Sequence, residues 1–505
     1  MSDLFAFFRL LGALWVLVRA DALLPKSLEP YLTPAGRLLA RTLRLFAGPE
    51  GKRGRPGERL AIALERLGPV SIKLGQLLAT RADIFGQAFA DDLARLKDQL
   101  EPFPMEVAYA EVAASLGRPP GSLFAEFHPP VGAASLAQAH PAKLLDGRQV
   151  AVKVLRPGVE HRIRADIRAL RLAARFAERM GPEARRLEPR AAVATVARSL
   201  ELELDLRLEA AGASELGEVM ARDPYMTAPE VIWDGVGKRV LTLAWAEGVP
   251  LSDPMALEQE GLDRPALATQ LTRAFLAQAL DHGVFHADLH EGNLFAAVPD
   301  RLMAVDYGII GRLGPAERRY LAEILWGFLE RDYVRVSRVH FEAGYVPAHH
   351  SVEAFAQAIR AVGEPIFGHN AKDVSMGRIL GQLFEITALF DMRLRPELVL
   401  LQKTMVTVEG VARRIDPAHD IWAAADPVVR RWIMRELAPH ARLRRLAEEG
   451  LNVLEGLARH AKSPPAPPAV VVEERGAASH LLWFAVGAAV SGAAFVIAAL
   501  VRHGG

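Results

Sequence analysis

A chain of 505 residues has room for two or three domain-sized units, and with 51% hydrophobic residues it can bury a large core. Lys and Arg number 61 against 60 Asp and Glu, so no global field draws nucleic acid, and no DNA or RNA partner is expected. The chain has no cysteine, which excludes disulfides, thiolate nucleophiles and cysteine-ligated metal centres and fits a reducing cytoplasm.

The N-terminus, LFAFFRLLGALWVLVRADALL, is apolar but interrupted by Arg9 and bounded by Arg19 and Asp21. No small-residue cleavage site follows it, so it is not a signal peptide. An interfacial helix lying on a membrane is the better reading. A helix docked on the protein's own surface is the alternative. Residues 48–57 (GPEGKRGRPG) form a loop by composition. A helix carrying Lys73, Gly75 and Gln76 follows, and helical periodicity runs through 88–117 to Pro119-Pro120-Gly121.

Short strand-like runs come next. A turn at Gly147-Arg148 joins KLL to QVAVKVL as a hairpin. Two helices are expected over 160–180 and 188–220, then two strands, VIWDGV and KRVLTLAWAEG. From Pro254 the pattern is mainly helical, with one short break at 283–310. Residues 463–468 (SPPAPP) are a proline-rich linker. Leu481 to Val501 carries no charge and is about 21 residues long, the length of a bilayer-spanning helix. The expected domains are an apolar segment at 1–50, a helical extension at 51–124, a strand-bearing lobe with inserted helices at 125–250, a helical lobe at 251–460, a linker at 461–480 and a transmembrane helix at 481–501. The two lobes imply a cleft between them, a usual place for a small-molecule site.

The chemistry concentrates in GVFHADLHEGNLF and MAVDYG. Transfer of a phosphoryl group needs metal to neutralise phosphate oxygens and a group to orient the nucleophile. Asn293 and Asp306 supply hard oxygen ligands suited to Mg²⁺. Asp288 can accept a proton from, or orient, the attacking hydroxyl or water. A single Asp near a turn is usually a cap, but H-x-D-x(4)-N followed by D-x-G, with Asp306 inside an apolar, strand-like run that ends at Gly308, is a specific combination. His286 reads as a residue that holds the loop in shape. Upstream, Val150-Ala151-Val152-Lys153 is an alternating strand ending in a lysine that can neutralise nucleotide phosphates. Glu209 is the carboxylate expected to hold it. In the preceding loop, Gly132 is followed by Ala133, Ala134 and Ser135, where a glycine-rich phosphate loop would otherwise sit. Between Gly308 and the helix expected at Pro315 only six residues remain for an activation segment, and Ala287 stands where an arginine would receive an activating phosphate. Both argue against a protein acceptor.

Together these residues resemble the UbiB family of atypical, protein-kinase-like ATPases linked to ubiquinone biosynthesis. The resemblance covers about 60 to 420. Its K-x-G-Q hallmark is matched by Lys73, Gly75 and Gln76, its E-x-D by Glu203 and Asp205, and its alanine-rich loop by Ala133, Ala134 and Ser135. The resemblance implies an α+β, two-lobed kinase-like fold. It also implies that the K-x-G-Q helix guards the cleft, that the E-x-D acids pair with it, and that these five residues are regulatory. Departures are Gly132 for an alanine, Leu289 and Glu291 for two prolines, and Ala244 for an acidic residue near the adenine side.

The function that follows is a membrane-bound ATPase or kinase using ATP and Mg²⁺ in ubiquinone biosynthesis. It would act on a lipid or quinone-precursor-like ligand or with other biosynthetic proteins, from a single C-terminal span in the inner membrane with its kinase-like domain cytoplasmic. Two alternatives are a small-molecule phosphotransferase of the aminoglycoside or choline type and a nucleotide-binding scaffold without turnover.

Overall fold

The computed structural model describes residues 2–22, 38, 41–49, 54–79, 87–94, 96, 101–179, 188–259, 261–368, 386, 389–392 and 396–437. The expected span at 481–501 lies outside these residues. Among the described residues no helix is long and apolar enough to cross a membrane. The chain divides into two compact units, one of residues up to Ala211 plus Glu230–Trp245, the other of Gly212–Pro229 and the chain from Ala246.

The first unit opens with helix α1 (Ser2–Arg19). Leu10 is buried against Phe176, with Phe7 and Leu14 packed beside it, while Arg9 pairs with Asp166. Phe5, Phe8 and Trp15 remain 65%, 61% and 52% exposed. One face therefore docks on the protein, as the docked-helix reading has it, and an aromatic ridge faces out. Next come α2 (Pro56–Leu67), α3 (Pro69–Ala79), α4 (Gln87–Ala94) and α5 (Met105–Leu116). The periodicity over 88–117 is thus two helices, because Pro102 and Pro104 interrupt the backbone ladder and Pro104 caps α5.

An antiparallel sheet follows from β1 (Phe124–Phe127), β2 (Gly132–Ala133), β3 (Ala137–Leu144) and β4 (Gln149–Leu155). On β4 the strand period of two sends Val150, Val152 and Val154 into a core with Phe124, Leu144 and Val240, and turns Lys153 to the other face. Helix α6 spans Val159–Arg179. The single helix expected over 188–220 is two, α7 (Pro189–Glu203) and α8 (Leu206–Met220). The break has a local cause: the Leu206 N–H bonds the Lys238 carbonyl, and Asp205 Oδ1 accepts the Arg207 N–H. Strand β5 (Val240–Ala244) closes the sheet beside β4. VIWDGV is not a strand. Trp233–Gly235 forms a 3₁₀ turn, and a side chain at Gly235 would meet Thr242 Oγ1 at 2.4 Å.

The second unit contains β6 (Val249–Pro250), α9 (Pro254–Gln259) and α10 (Arg264–Ala277), which runs into a π-helical turn at Gln278–His282. The region read as a short break holds β7 (Val284–His286), β8 (Leu294–Ala297), β9 (Arg301–Ala304) and β10 (Ile310–Arg312). β8 pairs with β6 and β9, and β7 with β10. Gly283 enters β7 at φ 72, and a Cβ there would stand 2.6 Å from the Leu313 carbonyl, so glycine is required. Helices α11 (Pro315–Leu329), α12 (Tyr333–Glu342), α13 (Val352–Gly368), α14 (Pro396–Ile415) and α15 (Ile421–Glu436) complete the unit. Phe328, Tyr333, Val336, Phe355 and Ile359 form a core among them.

His340 is buried beside the Phe355 ring, its Nδ1 donating to the Val336 carbonyl at 2.8 Å. Burial pushes this imidazole down to about 4. Above about pH 6.5 the ring is neutral in folded and unfolded chains alike. As pH falls from there toward 4 only the unfolded chain takes up the proton, so stability declines. In denaturant titrations His340→Gln should flatten that decline by up to about 1.4 kcal/mol per pH unit.

Candidate active site

In the first unit the site is built around Lys153. Its Nζ donates to Glu209 Oε1 at 2.7 Å and Oε2 at 3.0 Å, and Glu209 is buried. A buried carboxylate left without its cation would cost several kcal/mol, about 3–5 in such pairs, so α8 and β4 are tied to one another through this contact. The alanine-rich loop is an ordered hairpin edge. Gly132 and Ala133 pair with Ala139 and Gln138, the Ala134 N–H donates to the Ala137 carbonyl at 2.8 Å, and Arg156 Nε donates to the Ala134 carbonyl at 2.8 Å. Ser135 is buried. A Cβ at Gly132 would meet nothing within 4 Å, so the backbone there tolerates the alanine that the family resemblance leads one to expect. Ala244 ends β5 opposite Val150, its N–H bonded to the Glu230 carbonyl.

Lys73 of α3 forms an ion pair with Glu203 at the end of α7, and Ser199 Oγ donates to the same carboxylate at 3.2 Å. Gly75 is buried where a side chain would strike Leu64 and Leu96, and Gln76 is exposed. Asp205 does not join Lys73. It takes two side-chain bonds from Arg207, at 2.8 and 2.6 Å, and these hold its carboxyl below the usual range. The E-x-D acids therefore part company: Glu203 holds the K-x-G-Q lysine, and Asp205 caps the start of α8.

In the second unit the loop between β7 and β8 carries Asp288 and Asn293, and Asp306 follows β9. Asn293 Nδ2 donates to the Asp288 carbonyl at 3.1 Å, and the Val305 N–H donates to the Asn293 carbonyl at 2.9 Å. The three residues thus share one network. Asp306 lies beyond the strand, in the left-handed region at φ 62, and its Oδ1 accepts the Gly308 N–H at 3.3 Å. The strand reading of MAVDYG therefore ends too late: β9 stops at Ala304. Tyr307 is buried and its hydroxyl donates to the Ala304 carbonyl at 2.7 Å.

His286 is the hub of this loop. Its Nδ1 accepts the Asp288 N–H at 3.1 Å, and its Nε2 stands 3.1 Å from the Val305 carbonyl. Only the neutral ring with its proton on Nε2 satisfies both. Burial pushes the ring below its ordinary value, outweighing the pull of the Val305 carbonyl and of Asp306 and Asp288. Gln278, from the π-helical turn, accepts the His286 N–H at 3.0 Å. The segment after Gly308 is spent in β10, paired with β7, before α11 begins at Pro315.

Two contacts were not legible in the motif pattern. Glu291, in place of a proline, pairs with Arg414 at 2.6 Å, and Lys403 Nζ lies 3.7 Å from Asp288 Oδ1. The only sequence signal for the second is a polar Gln-Lys-Thr run flanked by apolar residues, LVLLQKTMV.

Residues 95–340 match the ABC1 atypical kinase-like domain, and residues 359–420 match the UbiB helical domain. A protein of Marinobacter nauticus named "Probable protein kinase UbiB" is 40% identical over 445 residues, which cover 87% of this chain and 81% of that protein. A protein of the same name from Pseudomonas paraeruginosa is 40% identical over 427 residues, covering 81% and 80%. Among solved structures, the Rv3197–erythromycin complex from Mycobacterium tuberculosis has a TM-score of 0.51 at 22% identity, covering 78% of this chain and 97% of that one. This last is a likeness of fold alone.

His286→Phe keeps a ring in the site but removes both of its hydrogen bonds. Each polar group so orphaned costs about 1–3 kcal/mol, so the thermal unfolding midpoint should fall; an unchanged midpoint would reduce His286 to packing.

Proposed function

The chain belongs to the UbiB family of ABC1-type atypical kinase-like proteins, and on that premise we propose that it binds ATP with Mg²⁺ and turns it over in support of ubiquinone biosynthesis at a membrane. The observation that carries the proposal is the network joining Asp288, Asn293 and the strand end that bears Asp306. Asn293 commits its amide nitrogen to the Asp288 carbonyl, which leaves the amide oxygen as its donor. With the Asp306 carboxylate this makes a hard-oxygen pair that suits Mg²⁺, whose charge offsets that on the phosphate oxygens. Lys153, held by Glu209, offers its ammonium to the nucleotide phosphates. Asp288 orients the attacking oxygen and takes its proton. That oxygen bonds the γ-phosphorus as the bond to the bridging oxygen breaks, and ADP leaves with the electron pair.

Water or a small hydroxyl compound fits as acceptor better than a peptide. Support comes from β10, which occupies the stretch where a peptide-docking segment would run. Lys73 and Glu203 act in this reading as a latch that a lipid or quinone-precursor-like ligand, or a partner biosynthetic protein, would open. Membrane attachment is proposed at both ends: a single span at 481–501, and the ridge of Phe5, Phe8 and Trp15 on α1 lying in the interface.

Asp306→Asn should abolish ATP hydrolysis by the full-length protein, and a deletion strain should recover its quinones with the wild-type gene but not with Asp288→Asn. Rescue by a variant that binds nucleotide without hydrolysing it would favour the scaffold reading instead. Replacing Phe5, Phe8 and Trp15 with Ser should weaken sedimentation of the purified protein, truncated before residue 463, with anionic phospholipid vesicles. Unchanged sedimentation would remove α1 from the membrane contact.

A further inference from the structure

Helix α14 is strapped to the catalytic loop. Thr404, buried, shares its hydroxyl proton between the Leu400 carbonyl of its own helix at 2.9 Å and, at 3.1 Å, the carbonyl of Ala287, the residue immediately before Asp288. Ten residues after Thr404, Arg414 pairs with Glu291 at 2.6 Å, and Arg264 of α10 donates to the Ile415 carbonyl at 2.6 Å. These contacts fix both the height and the rotation of α14. The residue they deliver is Lys403, whose Nζ lies 3.7 Å from Asp288 Oδ1. His290 Nε2 stands on the other oxygen, 3.6 Å from Oδ2. His290 Nδ1 accepts the Gly292 N–H at 3.1 Å, so a neutral ring carries its proton on the nitrogen that faces Asp288.

An ion pair this exposed adds under about 1 kcal/mol to stability. Stability therefore does not account for a lysine held here by three contacts. Its value lies in the group it faces. A carboxylate that must orient an attacking oxygen is most effective when it is kept in one rotamer.

We propose that Lys403 is a positioning residue for phosphoryl transfer: from the helical region that follows the kinase-like domain, it holds Asp288 by Oδ1, opposite His290 on Oδ2, and so keeps in one rotamer the carboxylate that orients the attacking oxygen. This rests on the reading of Asp288 as the group that orients the acceptor. Lys403 acts on the acceptor side, whereas Lys153 and Asp306 act on the nucleotide side. Its removal should therefore change turnover and leave nucleotide binding alone.

The test uses the full-length protein with three variants, Lys403→Met, Lys403→Arg and Asp306→Asn, measuring ATP hydrolysis, the affinity for a fluorescent ATP analogue and the thermal midpoint. Lys403→Met should lower kcat by roughly 10- to 100-fold with KM for ATP, analogue affinity and midpoint unchanged. Lys403→Arg, which keeps the cation, should recover most of the loss. Wild-type kcat in Lys403→Met overturns the proposal, as does an equal loss in the Met and Arg variants with a lowered midpoint, the signature of a structural role. Failure of the underlying reading looks different: Asp306→Asn would then hydrolyse ATP as fast as wild type, and the inference about Lys403 would fall with it.

Discussion

One neutral imidazole holds in register the loop that bears Asp288 and Asn293 and the segment that bears Asp306. His286 accepts a backbone N–H from Asp288 on one nitrogen and faces the Val305 carbonyl with the other. The loop that carries Asp288 and Asn293 and the strand end that carries Asp306 are therefore positioned by the same ring. The arrangement works only while the ring is uncharged, because a proton on Nδ1 would face the Asp288 N–H. Burial enforces that state. The aromatic face of Tyr307, 5.2 Å away, and Gln278 on the strand side close the surroundings of the ring.

The first unit solves a similar problem with charge. Lys153 projects from β4 because its neighbours Val152 and Val154 are drawn into the core on the opposite face. Glu209 then fixes its ammonium from α8. A second lysine, Lys73, is held the same way by Glu203, the last residue of α7 before the break that precedes α8. Two carboxylates from neighbouring helices thus restrain two cations. Asp205, between them in sequence, is diverted to cap the helix that bears Glu209.

Much of this is legible in the sequence, and each departure has a physical cause, local for some residues and long-range for others. The valine alternation around Lys153 is a strand pattern, and the helix start at Pro315 follows from proline chemistry. The split at Leu204–Asp205 was hidden because the residues on both sides favour helix. Only the Lys238 carbonyl, distant in sequence, takes the Leu206 N–H away. Asp306 reads as strand because Met303, Ala304 and Val305 are apolar, yet its left-handed backbone is set by the bond to Gly308. Asp205 was assigned to Lys73 by family likeness, and an arginine two residues away outcompetes that lysine. Lys403 was invisible because its meaning depends on Thr404 and Arg414, which fix a helix against a loop more than a hundred residues earlier.

The straps on α14 also bear on where the working unit ends. The kinase-like match stops at residue 340, and by that boundary the helices beyond it look like an appended module. Among the described residues, the Ala287 carbonyl and the Glu291 carboxylate find side-chain donors at Thr404 and Arg414. A fragment cut at 340 would leave a buried acceptor and a paired acid on the catalytic loop without their donors. The smallest piece that can keep this loop in its native shape therefore extends at least to the end of α14. In this protein the border of a recognisable domain lies about seventy-five residues short of the last contacts its loop requires.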